Sequence, residues 1–171
     1  MAASGESVFN LPAREIMTPD PVCAGPEMPL RTLAQLLDGA GVSGVPVVDH
    51  LRRVIGVVSR TDLLRACLAR AEDYEPAFLF ELLRDEEERE EAFDFDAEYA
   101  APDLRVEDFM TEDPITATPD APLRELARRM AQEEVHRVVI VDDDGVALGI
   151  VTSMDVMRAL AQTAGEGRGT L

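Results

Sequence analysis

The stretch "GIVTSMD" (149–155) closes an apolar, β-branched run and opens a helical one, and a near copy, "GVVSRTD", stands at 56–62. With these two phrases superposed, Met17 falls over Met110 at an offset of 93. From there to position 67 the copies align without a gap, with about 20 identities in about 51 positions. "MTPDP" answers "MTEDP", "PLRTLA" answers "PLRELA", "VSGVPVVD" answers "VHRVVIVD", and "GVVSRTDLLRA" answers "GIVTSMDVMRA". One unit is written twice, with a segment inserted between the copies.

Each copy reads in the same order. The "MT.DP" phrase predicts a turn, followed by a short extended piece at 22–24 or 115–117. Pro29 and Pro122 are expected at a helix N1 position, where a missing N–H costs nothing. Leu123, Leu126, Ala127 and Met130 then recur at i, i+3, i+4 and i+7, as do Leu30, Leu33, Ala34 and Leu37, which predicts one apolar helical stripe per copy. The runs "VPVVD" and "VIGVVS", or "VVIVD" and "ALGIVT", separated by turn material such as "DDDG", predict a hairpin. A second helix is expected from Arg60 or Ser153, with Leu63, Leu64 and Cys67, or Val156, Met157 and Leu160, on its apolar face. The fold class is therefore α+β, two β-α-β-β-α units of about 50 to 60 residues each. Units of that size are small for isolated cores, so their sheets are expected to pack together.

Composition sets the outer limits. The chain has 171 residues, 46% of them hydrophobic, enough to bury a sizeable core. It has no run of about 18 apolar residues to span a bilayer and no basic-then-apolar start, so a soluble, cytoplasmic protein without a membrane association is expected. Cys23 and Cys67 lie outside any CxxC pattern and form no zinc-ligand spacing with His50 and His136, so both are expected as small buried hydrophobes and no metal site is expected. A formal charge of -18 argues against a nucleic-acid partner. All 16 basic residues are arginine, which excludes a P-loop lysine, a Schiff base and a kinase-type lysine. With no nucleophile-base pair in the sequence pattern, no catalytic residues and no enzyme activity are expected.

The charge is concentrated. From 72 to 103 there are about 14 acids against Arg84 and Arg89, roughly two-thirds of the net charge. A structureless loop of that length is rare in a compact domain. Phe78, Leu79, Leu82 and Leu83 predict a partly helical insert, followed by acids and then Phe93, Phe95 and Tyr99. It reads either as a helix docked by its aromatics with a solvated acidic face, or as a dimer or partner contact. The expected division is 12–71 for unit 1, 72–103 for the acidic insert, 104–162 for unit 2, and 163–171 for a flexible tail.

The ordered set "MT.DP", "PL..LA", "VVD" and "G(V/I)V(S/T)..D", occurring twice, resembles the CBS domain, named after cystathionine beta-synthase, here as a tandem pair. The resemblance implies a pseudo-two-fold module with two clefts between the repeats that take adenosine-containing ligands such as AMP, ADP, ATP or S-adenosylmethionine. Such a ligand would be an effector, with no cofactor required, and modules of this kind pair into homodimers. The long insert departs from the short linker usual in such pairs.

Two readings of the opening phrase stand side by side. Ser or Thr followed three residues later by an acid is a helix-capping signature that needs no ligand. A carboxylate at a helix start also suits a ribose diol, while helix N–H groups attract phosphate. By resemblance, Asp62 and Asp155 would take the ribose, Ser59 and Thr152 would face the ribose or phosphate, and the main chain at Cys23 and Ala24, or Thr116 and Ala117, would line the adenine. His136 and Arg137 resemble a phosphate-contacting pair, or else form a solvated strand entry. Ser43 and Gly44 replace them in the first copy, where Arg60 is the available cation. The clefts are therefore expected to be unequal, with the Asp155 copy favoured for a phosphorylated ligand. The functional expectation is a stand-alone regulatory module that senses an adenosyl ligand and signals to a regulated protein the sequence does not name. The alternative is a dimeric scaffold with vestigial clefts that acts through its acidic insert.

Overall fold

The computed structural model describes residues 8–69 and 104–166, and the expectations for the acidic insert and for the last residues of the tail lie outside them. The described elements run α1 (Ala13–Ile16), β1 (Thr18–Pro19), α2 (Leu30–Gly39), β2 (Gly44–Val48), β3 (Val54–Ser59) and α3 (Arg60–Leu68). After a 3-10 turn at Val106–Asp108 come β4 (Thr111–Glu112), β5 (Thr116–Ala117), α4 (Leu123–Gln132), β6 (Arg137–Val141), β7 (Ala147–Thr152) and α5 (Ser153–Glu166). The class is α+β, with the same element order in each repeat. Helix α5 carries on to Glu166, four residues into the segment expected as tail.

The chain forms two compact units, and they are not the two repeats. The second-repeat unit holds the described residues 8–21, 51–54 and 114–166, and the first-repeat unit holds 22–50, 55–69 and 104–113. Each unit thus contains most of the body of one repeat and the leader of the other, and the second-repeat unit also takes the hairpin turn 51–54 of the first repeat. In the second-repeat unit the strand order is β1-β7-β6-β5, with β1 antiparallel to β7 through Thr18 opposite Ile150. In the first-repeat unit it is β2-β3-β4, with Thr111 opposite Val57, and Ala24 bridges Val47 in parallel where the other unit has β5. Thr18–Pro19 and Thr111–Glu112, from the two expected turns, are therefore two-residue edge strands, each on a hairpin of the other repeat.

Backbone hydrogen bonds fix the two leaders in the same way. Ala13 N–H donates to the Ala121 carbonyl, Arg14 N–H to Pro119, and Leu123 N–H to Leu11. At the offset of 93, Val106 N–H donates to Met28, Glu107 N–H to Pro26, and Leu30 N–H to Leu104. The leader arginines Arg14 and Arg105 pair with Asp120 and Glu27, which are themselves equivalent positions.

Glycine makes the docking possible. A Cβ on Gly149 would meet the Met17 side chain and stand 3.1 Å from the Thr18 carbonyl oxygen. A Cβ on Gly56 would stand 2.9 Å from the Met110 sulfur and 3.0 Å from the Thr111 oxygen. The glycine that opens each quoted phrase is where a leader methionine crosses the strand.

The helices follow their stripes. Leu30, Leu33, Ala34 and Leu37 of α2 are buried with Val45, Val47, Val58 and Leu63, and Leu123, Leu126 and Met130 of α4 with Val138, Ile140, Val151 and Val156. Each fully buried aliphatic side chain contributes about 1.5–3 kcal/mol through the area it removes from water. Three details differ from the sequence reading. Pro29 and Pro122 are N-caps in extended backbone (ψ 147 and 148), one residue before N1, because the leader, not a side chain, supplies the next contact. Met157 is 62% exposed, and Ala159 takes the buried place on α5. Cys67 is buried, but Cys23 is only partly so, because it lies on a sheet edge.

Candidate functional site

The quoted phrases build a reciprocal cap in both units. The Thr152 hydroxyl donates to Asp155 Oδ2 at 2.6 Å and its backbone N–H to the same oxygen at 2.8 Å, while Asp155 N–H approaches the Thr152 hydroxyl at 3.3 Å. Ser59 and Asp62 repeat this with 2.6, 2.9 and 3.3 Å. The β-strand ends in extended backbone at Ser59 (φ -132, ψ 168), so its hydroxyl reaches the free N–H of the first helical turn. The second carboxylate oxygen faces outward, where Arg158 donates to Asp155 Oδ1 at 3.0 Å and Arg65 stands 4.0 Å from Asp62 Oδ1. The Asp155 and Asp62 side chains are only 13% and 17% exposed, so each carboxylate is held at a helix start with one oxygen directed to the surface.

The sheet brings further expected residues alongside. Arg137 is directly opposite Thr152, and Val139 is opposite both Ile150 and Thr116, so Thr116, Arg137 and Thr152 share one sheet face. That face is opposite the helices, since Ala117, Val138, Ile140 and Val151 turn into the core. The Ala117 side chain therefore faces the core, and its backbone groups belong to the ladder with β6. Of the expected His136–Arg137 pair, Arg137 opens β6 and His136 lies in the bend before it. His136 is exposed and lines an apolar cavity of about 480 Å³ with Ala127, Met130, Val156 and Met157. Its carbonyl accepts from Ser153 N–H at 3.0 Å, as the Ser43 carbonyl accepts from Arg60 N–H.

In the first-repeat unit, Ala24 is buried in the core and its N–H and carbonyl both bond to β2, so Cys23 occupies the place of Thr116. Arg60, the expected cation of this copy, stands 3.7 Å from Asp38, and both side chains are 21% exposed. The sequence reading missed this pairing and a second one. Arg129 Nη1 donates to the Thr116 carbonyl at 2.8 Å, and its Nη2 pairs with Glu125 at 2.7 Å. The signal for the second was present at the offset of 93, where Leu36 and Thr32 stand in place of Arg129 and Glu125. Among the described residues no cluster of His, Cys, Asp and Glu has the arrangement of a metal site, and no helix is long and apolar enough to cross a membrane.

The CBS domain model matches residues 13–69 and 106–162, two-thirds of the chain, once per repeat. The chain belongs to the CBS domain family. It is 32% identical to the uncharacterized protein MJ1426 of Methanocaldococcus jannaschii, over 70% of this chain and 73% of that one. Among solved structures it resembles CBSX2 of Arabidopsis thaliana in complex with AMP, at 24% identity and a TM-score of 0.66, over 90% of this chain and 98% of that one. It also resembles the CBS domain pair of protein MJ0100 in complex with 5'-methylthioadenosine and S-adenosyl-L-methionine, at 22% identity and a TM-score of 0.66, over 89% and 97%. The inosine-5'-monophosphate dehydrogenases it matches are far longer, the CBS pair covering only 21% of the Bifidobacterium longum enzyme.

Proposed function

We propose that this CBS pair is a non-catalytic regulatory module that binds an adenosine-containing ligand and passes its occupancy to a regulated protein in the cytoplasm. The observation that carries the reading is the twice-built cap, Thr152 with Asp155 and Ser59 with Asp62, a largely buried carboxylate held at a helix N-terminus. In the second-repeat unit, Thr116 and Arg137 lie on the same sheet face as Thr152. A ribose diol displaces Arg158 or Arg65 from the outward oxygen, and the cap contacts keep the other oxygen in place. The adenosyl ligands of CBSX2 and of the MJ0100 pair support the ligand class.

The phosphate is read unequally. Arg137 stands opposite Thr152 at the strand start of one unit, a position that Gly44 holds in the other, where Arg60 lies beside Asp38. The module works as a homodimer, a reading supported by Met154 and Met157, 58% and 62% exposed on α5 beside the apolar cavity.

Titration calorimetry with AMP, ADP, ATP and S-adenosylmethionine tests the reading. Binding is expected for at least one, and Asp155→Ala combined with Asp62→Ala is expected to abolish it. Absence of heat for all four at millimolar concentration sinks it. One observation favours the other reading, a scaffold with vestigial clefts: both caps satisfy their own donors without a ligand. The same titration separates the two.

A further inference from the structure

The two units differ at one point that bears directly on the base of a nucleotide. β5 is the edge strand of its sheet, and Ile115 and Ala117 use their backbone groups toward β6, as the Val139 N–H to Ile115 carbonyl bond at 3.1 Å shows. Backbone alternation then turns the Thr116 carbonyl off the open edge. Arg129 donates to that oxygen, and Glu125 fixes the other end of the same guanidinium. The first-repeat unit has the same strand register at Ala24, but Leu36 at the arginine position offers no donor, and Thr32 replaces the glutamate.

We infer that Arg129 sets the base preference of the second-repeat unit, against a 6-amino purine and toward a 6-oxo purine. The inference rests on the proposal that this strand edge lines the base. Adenine presents an amino donor there, and a donor brought to the Thr116 carbonyl meets a cationic donor already bound to it. The O6 of a guanine or hypoxanthine base is an acceptor, which a remaining N–H of the Arg129 guanidinium can meet while the Thr116 and Glu125 contacts stay in place. A difference of one such contact corresponds to about tenfold in affinity. The two units would then divide the purines, with the adenine preference retained only where Leu36 stands.

The test is calorimetry on the full chain with AMP and GMP as probes, in an Asp62→Asn background so that the second-repeat unit supplies the binding. GMP is expected to bind about tenfold tighter than AMP, and Arg129→Leu to reverse that order. The reciprocal variant, Leu36→Arg with Thr32→Glu in an Asp155→Asn background, is expected to shift the first-repeat unit toward GMP. It keeps the test decisive if Arg129→Leu does not fold. Nucleotide binding with a GMP-to-AMP ratio that changes less than twofold in both variants overturns the role of Arg129 and leaves the nucleotide site standing. No binding of either nucleotide by any form overturns both.

Discussion

Three positions in each repeat hold left-handed backbone, and they fall in pairs at the offset of 93: Asp20 with Asp113, Gly41 with Glu134, and Arg52 with Gly145. Asp tolerates this region because its short polar side chain bonds locally, but Glu does not share that advantage. Glu134, at φ 54, does what Gly41 does at φ 62 after the last turn of its helix. The left-handed cost for an L-residue, about 1–2 kcal/mol, exceeds the entropy a glycine loses on folding, about 0.5–1 kcal/mol. Glu134→Gly is therefore expected to stabilise by roughly 0.5–1 kcal/mol, a rise of about 1–4 °C in Tm by thermal melting. A fall would show that the Glu134 side chain contributes more than its backbone costs. The thiols make a second residue-scale case. Burial pushes the Cys67 thiol up to about 11 from 9.0. The unfolded thiol ionises from about pH 9 while the folded one stays protonated, so this group's contribution to stability is lost as pH rises from 9 through 11. Denaturant melts across that range should show a steeper decline for the native chain than for Cys67→Val. Equal slopes would remove Cys67 as the cause.

At the scale of elements, what the sequence made legible was whatever carries a period or a spacing. The stripes of α2 and α4 and the hairpin runs were readable because 3.6- and 2-residue periods each span several residues. The caps at Thr152–Asp155 and Ser59–Asp62 were readable because the contact spans three residues. The leader strands were not, since two residues such as Thr18–Pro19 have no period and their partner lies over 120 positions away. Arg129 was missed for a related reason: a charged residue on a helix flank reads as solvated until the carbonyl it meets is known. Yet the repeated Met17 and Met110, and Gly149 and Gly56, carried the leader docking in plain view, as identities without an explanation. Gly149→Ala is expected to cost about 1–3 kcal/mol by forcing Met17 off the strand. Gly25→Ala, where an added Cβ meets nothing within 4 Å, should stay within about 0.5 kcal/mol. Denaturant midpoints for the two variants measure the contrast, and equal losses would mean that the methionine simply moves aside.

For the whole molecule, the exchange of leaders makes the unit of folding different from the unit of duplication. Residues 8–21 complete the body of the second repeat, and residues 104–113 complete the body of the first. Each body takes three equivalent backbone hydrogen bonds, an edge strand and a methionine from the other half of the chain. A break in the insert therefore cuts the covalent chain without cutting either unit out of it. A protease site introduced beside Arg89 and cleaved in the folded protein should give two fragments that co-elute as one 1:1 complex. They should separate only in denaturant. The same nick combined with deletion of residues 1–21 removes the first leader, and the expected result is a marked loss of thermal stability, read by circular dichroism, because β7 loses its edge partner and Gly149 its covering methionine. If the nicked fragments part in native buffer with each half still folded, the leaders are not shared and each repeat folds on its own segment.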